Sequence, residues 1–254
     1  MFTPIRGFTS LQRTPQTDLK LGTVLAFVAG AANAGGLLAV GQYTSHMTGI
    51  VSSVADHLVL GNMALALAGL GALLSFVLGA MTTAWLVNWG MRQQLRSAYG
   101  LPLLLEALAL LLFGLFGAAM DHYTAVFIPL TVVLLCFIMG LQNAVITKIS
   151  HAVIRTTHVT GLLTDLGIEL GKLLYINRHH GDDPQPVRAN RAKMRVHGQL
   201  IVGFFVGGLA GALGFKHLGY ASTVPLAALL VLLVMRPVLD DWQRWVAGPH
   251  RPRR

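Results

Sequence analysis

Between Leu21 and Met91 the chain carries one charged side chain, Asp56. No Asp, Glu, Lys or Arg occurs from Leu21 to Ala55, or again from His57 to Met91. Each run is longer than the roughly 20 apolar residues that cross a bilayer as a helix. Charged residues make up 11% of the whole chain, against about 25% in soluble domains. Backbone placed in hydrocarbon must satisfy its own hydrogen bonds, which leaves helices or closed barrels. The alternating ten-residue pattern of a barrel strand is absent from the sequence. The expected fold class is therefore all-α, a polytopic membrane helix bundle.

Hydropathy places six spans at about 21–42, 63–88, 101–119, 124–147, 197–215 and 221–238. Two further segments, about 44–61 and 156–176, have helical character but are too polar or too short to span securely. They read as half-helices or re-entrant segments. Residues 1–20 are polar, hold Pro4 and Pro15, and lack the short apolar core of a cleavable signal. The first apolar segment is expected to remain as a span. The polar stretch 177–196, with Gly181, Pro184 and Pro186, reads as a cytoplasmic loop, and 239–254 as a basic cytoplasmic tail. Six spans with both termini inside put every Lys and Arg except Lys216 on the cytoplasmic side, a strong positive-inside asymmetry. Crossing the two short segments as well would put Arg92, Arg96, Lys148 and Arg155 outside. This placement accounts for the net charge of +9 without nucleic acid, and it makes anionic lipid a partner for the cytoplasmic face.

One polar phrase is written twice. Ala32-Asn33-Ala34 precedes Thr44-Ser45-His46-Met47-Thr48-Gly49, and Gln142-Asn143-Ala144 precedes Thr156-Thr157-His158-Val159-Thr160-Gly161. Gly30 and Gly140 stand at the same offset before the two Asn residues. Ser75-Phe76-Val77-Leu78-Gly79 resembles Phe204-Phe205-Val206-Gly207-Gly208 more weakly, sharing Phe-Val-x-Gly. A duplicated unit with three spans per copy faces opposite ways in its two halves. The expectation is a single transmembrane domain, 21–238, in two inverted three-helix repeats (about 21–119 and 124–238).

The repeated phrases hold the residues that could carry chemistry. Thr44, Ser45, Thr156 and Thr157 are good helix N-cap residues. Helices that begin there would present unpaired N–H groups and partial positive charge to an anion. Thr48 and Ser52, like Thr160 and Thr164, are four apart and share one helix face. With His46, His158, Asn33 and Asn143 they would line a central path, and a histidine can titrate near neutral pH. The same residue types also hold membrane helices together by hydrogen bonds. Asp56, Asp165 and Glu169 are candidates for a coupling ion or an ion pair, with Lys172 one turn beyond Glu169. Glu106, early in the third span, could snorkel or pair inside the bundle.

Nucleophile-elbow, zinc-protease and phosphate-loop signatures are absent, so no enzyme is expected. The lone Cys136 excludes an intrachain disulfide and a Cys-based zinc site and reads as a small buried residue. His179, His180, Asp182 and Asp183 lack metal-ligand spacing and read as solvated loop. No metal or cofactor is expected. Trp242 and Trp245 beside Arg244 read as an interfacial anchor.

Taken together, Gly36–Gly49, Met139–Ala144 and Arg155–Gly161 resemble the YoaK family of bacterial multi-pass inner-membrane proteins of uncharacterised function. The resemblance covers about 20–238. It implies an inner-membrane location and a shared membrane fold, and it supplies no substrate. Commoner members resemble this chain but carry an acid where Asn33 stands and Asn where Ile50 stands. A charge-dependent role for that acid would not pass to the neutral Asn33. The expected function is passage of a small polar solute or anion through a channel or secondary transporter. The alternative is a non-transporting scaffold, sensor or lipid-interacting protein.

Overall fold

The computed structural model describes residues 14–119, 124–176 and 187–246. Among them are eight α-helices and no strand: α1 (Pro15–Val40), α2 (Met47–Val59), α3 (Met63–Arg92), α4 (Leu101–Ala119), α5 (Thr124–Ile149), α6 (Val159–Leu174), α7 (Arg191–Leu218) and α8 (Thr223–Val246). Four helical stretches are long and apolar enough to cross a membrane, namely Pro15–Val40, Met63–Arg92, Val126–Ile149 and Arg191–Val246. Leu101–Gly117 is a shorter apolar helix. The stretch Arg191–Val246 has 56 residues and would run about 84 Å if straight. It is broken at Gly219, where φ 59° and ψ −145° suit a residue without Cβ, and a 3-10 turn, Gly219–Ser222, leads into α8.

Three helices overrun the boundaries expected from hydropathy by six residues or more at one end, each through polar sequence. α1 begins inside the 1–20 tail. Pro15 occupies its first turn, and Thr14 and Thr17 cap each other: the Thr17 N–H donates to Thr14 Oγ1 (3.3 Å) and the Thr14 N–H to Thr17 Oγ1 (3.0 Å). α7 begins inside the 177–196 loop, because the Asn190 side chain accepts from the Lys193 N–H (3.0 Å) and starts a helix there. α8 continues past 238 to Val246 with Trp242 and Trp245 exposed. His179, His180, Asp182 and Asp183 lie outside the described residues.

Packing crosses between the halves. α1 packs chiefly on α7 and α3 on α5, so the first helix of each half lies on the third helix of the other. Glycines set both crossings. A Cβ built on Gly30 would run into the Phe204 carbonyl oxygen and lie 2.8 Å from the Gly208 nitrogen. One on Gly140 would meet the Phe76 carbonyl and lie 3.1 Å from the Ala80 nitrogen. Reciprocally, Gly207 abuts the Phe27 carbonyl and Gly79 the Phe137 carbonyl. The structure thus matches Phe76 and Gly79 to Phe204 and Gly207, one residue off the sequence register, which had paired Gly79 with Gly208. The Gly207-Gly208 pair offers two registers to the eye, and only the backbone approach separates them. Hydroxyl bonds from Ser75 to the Val133 carbonyl (2.7 Å) and from Thr83 to the Leu141 carbonyl (3.0 Å) further tie α3 to α5.

Most of the buried apolar side chains form one cluster, including Leu25, Leu110, Phe113, Ile138, Ile146, Leu200 and Leu230. α1 and α5 run antiparallel beside it: Gly22 lies against Ile146 and Gly36 against Leu135. α4 packs on α8 and α5, while α2 and α6 pack chiefly on α3 and α7 respectively. Cys136 is buried as expected, its thiol donating to the Thr44 carbonyl (3.6 Å).

Candidate functional site

The two polar phrases fold alike. Asn33 Oδ1 accepts from the Ser45 N–H (3.2 Å) and the Ser45 hydroxyl (3.0 Å). Asn143 Oδ1 accepts from the Thr157 hydroxyl (2.8 Å), while its amide donates to the Met139 carbonyl (2.8 Å). Each Asn therefore pins the loop that leads into the short helix of its own half. Thr44 and Thr156 are fully buried, and neither hydroxyl has a hydrogen-bond partner among the described residues.

The caps differ from the sequence expectation. The N-cap residues are His46 for α2 and His158 for α6, and neither side chain makes a capping bond. Ser45 and Thr157 are engaged with the Asn side chains instead, and Thr44 and Thr156 point into the protein. The glycine of each phrase explains the cap geometry. A Cβ on Gly49 would strike the His46 ring, and one on Gly161 the His158 ring. Each imidazole thus lies across the first turn of its helix, above N–H groups that no side chain of the cap residue satisfies.

The phrases are not brought together. Gly36 backs onto Thr44, and Gly22 backs onto Ile154, two residues before Thr156. These glycines are fourteen residues apart on α1, about 21 Å along a helix. His46 and His158 therefore stand near opposite ends of the α1–α5 seam. Nor do the hydroxyl stripes turn inward. Thr48, Ser52, Thr160 and Thr164 are exposed, opposite the buried Ile50, Val54 and Leu162. Thr164 returns its hydroxyl proton to the Thr160 carbonyl (2.9 Å). Asp56 is exposed near the end of α2.

An open cavity of about 470 Å³ adjoins the second phrase, lined in part by Arg155, His158, Thr160, Thr164, Asp165 and His197. Asp165 lies 3.4 Å from Lys193 Nζ and 3.8 Å from His197 Nε2. His197 is buried, and its Nδ1 has no partner among the described residues. Glu169, one turn along α6 from Asp165, is committed elsewhere. Its oxygens accept from Lys172 Nζ (2.8 Å) and the Asn190 N–H (2.7 Å), clasping α6 to the start of α7. The hydrogen bond from Lys172, followed by that from Asn190, holds the Glu169 carboxyl below the usual carboxylate range. Among the described residues no group of three or more His, Cys, Asp or Glu could hold a metal.

Sequence reasoning missed His197 and Lys193 as site residues, because their meeting with Asp165 joins α7 to α6 with no fixed spacing. Glu106 was noticed and misplaced. It neither snorkels nor pairs: it is fully buried, and neither oxygen has a hydrogen-bond partner among the described residues.

No curated protein and no solved structure matches the chain. A family described as "Protein of unknown function (DUF1275)" matches residues 21–235, nearly the stretch over which the motifs showed their resemblance. The duplicated phrases, both glycine crossings and the cavity all fall inside that match, and the chain belongs to the DUF1275 family.

Proposed function

We propose that the chain is an integral protein of a bacterial inner membrane that passes a small polar solute or anion, as a channel or secondary transporter. On this reading α1, α3, α4, α5, α7 and α8 are six spans in two inverted halves, with both termini cytoplasmic and α2 and α6 as short half-helices. The supporting observation is the matched pair of phrases near opposite ends of the antiparallel α1–α5 seam. Each is pinned by an Asn and opens a helix whose N-terminus lies beneath an imidazole. Inverted-repeat transporters use helix N-termini to hold anionic groups, and unsatisfied N–H groups attract anions; here the two N-termini stand apart, one toward each end of the seam. Arg155, Lys193, His158 and His197 around one acid, Asp165, give the second phrase a basic setting suited to such a solute.

The test is flux into liposomes holding the purified protein, with a panel of neutral solutes and small anions. Flux above empty liposomes that His46→Ala/His158→Ala removes, in a protein of unchanged helicity, is the expected result. Flux unchanged in that variant would remove the imidazoles from the pathway.

A second reading has its own observation. The hydroxyl stripes of α2 and α6 face outward, and both Asn residues are engaged in holding loops. That is what a non-transporting scaffold or sensor would show if those outer faces meet lipid headgroups or a partner. The absence of flux for every solute, from a folded sample, would favour it.

A further inference from the structure

α4 is an apolar helix, LPLLLEALALLLFGLFGAA, with one ionisable residue, Glu106. We propose that Glu106 is a proton-binding site inside the bundle, its carboxyl carrying an exchangeable proton at pH 7. Three observations support it. The side chain is fully buried. Neither oxygen has a hydrogen-bond partner among the described residues. And among the described residues no cation lies at its level on any element that packs against α4.

The last point follows from the packing. α4 meets α8, α5, α3 and the 3-10 turn, and α7 where Phe215 lies against Phe113 with ring centroids 5.7 Å apart; the neighbouring Lys216 and His217 are exposed, about 10 Å from Glu106 along α4. Gly100, just before α4, abuts Val234, and Gly114 abuts Thr223, so Glu106 lies level with the part of α8 between those residues; seven residues apart, Glu106 and Phe113 share a face of α4. That stretch, TVPLAALLVLLV, holds no ionisable residue. Arg236, Asp240 and Asp241 lie beyond it, at the Gly100 end or outside it; Asp241 already accepts from the Ser97 N–H and hydroxyl. The nearest of these, Arg236, is about 12 Å away along the helix axes. α5 offers Cys136, a thiol, and Lys148 at its far end, where it donates to Asn88. α3 has Arg92 in its last turn; Gly90 packs on Ala98 and Leu101, which leaves Arg92 at the start of α4. The 3-10 turn contributes Tyr220, against Gly114 and Gly117, about 12 Å from Glu106.

A buried carboxylate without a counter-ion or donors is far costlier than the neutral acid. The acid form needs no counter-ion and has a proton to give. Ionisable groups retained inside membrane spans are functional candidates for this reason. That this proton couples to solute movement rests on the transport reading above; the site itself does not.

The chain has two glutamates, Glu106 and Glu169, which makes the test clean. The full-length protein would be synthesised with glutamate labelled with carbon-13 at the side-chain carboxyl, reconstituted in liposomes, and examined by infrared difference spectroscopy at pH 7. The expected spectrum has one isotope-shifted carboxylic-acid band, from Glu106, and one carboxylate pair, from Glu169. The acid band should shift in D2O, vanish in Glu106→Gln and survive in Glu169→Gln. Two carboxylate signals and no acid band would overturn the proposal, as would an acid band that D2O never shifts. No flux is needed for either result, so failure of the transport reading leaves this test intact. Where flux is found, Glu106→Gln should lose its dependence on a pH gradient; unchanged dependence would overturn the coupling role.

Discussion

Replacing Gly30 by Ala should destabilise the fold far more than a methyl group ordinarily does. The new Cβ would be driven into the Phe204 carbonyl oxygen, with the Gly208 nitrogen 2.8 Å away and the Phe204 carbonyl carbon 3.0 Å away. All three obstacles are backbone, so no rotamer change gives relief. α1 and α7 would have to part by roughly 1 Å, which forfeits about a quarter to a half of the dispersion well of each contact opened. Overpacked cores lose about 1–3 kcal/mol, and a backbone collision on the main helix crossing belongs at the upper end, about 2–3 kcal/mol. Gly207→Ala strikes the same crossing from the other side. Once the helices have parted, its added effect should be smaller, so the double variant should lose less than the sum. The internal control is Gly198→Ala, also on α7, where a Cβ meets nothing within 4 Å. It should be neutral or gain about 0.5–1 kcal/mol from helix propensity. Denaturation in detergent, followed by circular dichroism, reads all four proteins. Equal stability of Gly30→Ala and Gly198→Ala would refute the close crossing.

Other perturbations probe the joints around the phrases. Asn33→Ala leaves the Ser45 N–H and hydroxyl without their acceptor and should cost about 1 kcal/mol; the Ser45 amide should exchange faster, whereas Asn33→Asp, which keeps an acceptor, should preserve protection. Asp241→Ala removes the acceptor of the Arg96 N–H (3.0 Å), the Ser97 N–H (2.8 Å) and the Ser97 hydroxyl (2.7 Å). It should cost about 1–3 kcal/mol in the same denaturation assay. Because the Glu169 carboxyl is held below its ordinary range, its clasp is present above that range and is lost only as pH falls through the lowered value. Exchange at the Asn190 amide should therefore stay slow through the ordinary carboxyl range and rise in stronger acid, while Glu169→Ala should exchange quickly throughout.

Much of this fold is legible in sequence because so apolar a chain has few options. Long uncharged runs specify helices, and the doubled phrase marks the corresponding elements. Boundaries escaped where polar residues carry the helix on: Thr14 and Thr17 at α1, Asn190 at α7, and the amphipathic end of α8. The candidate site was legible as composition and not as geometry. Ser45 and Thr157 look like caps in a linear reading, yet each is taken by an Asn twelve or fourteen residues earlier. The glycine after each His-x-Thr carries no assignment in a linear reading, yet it makes room for an imidazole. Glu106 shows the limit most clearly. Snorkelling and pairing were the two outcomes open to a linear reading, and only three-dimensional packing sets the carboxyl out of reach of both.

Sidedness tests the central claim most directly. His46→Cys and His158→Cys, made singly in a Cys136→Ala background, would be exposed in sealed vesicles of known orientation to a thiol reagent that cannot cross the membrane. With the phrases near opposite ends of the α1–α5 seam in inverted halves, position 46 should react only from outside and position 158 only from the cytoplasmic side. Reaction of both from the same face, in folded protein, would contradict the inverted arrangement and the pathway built on it.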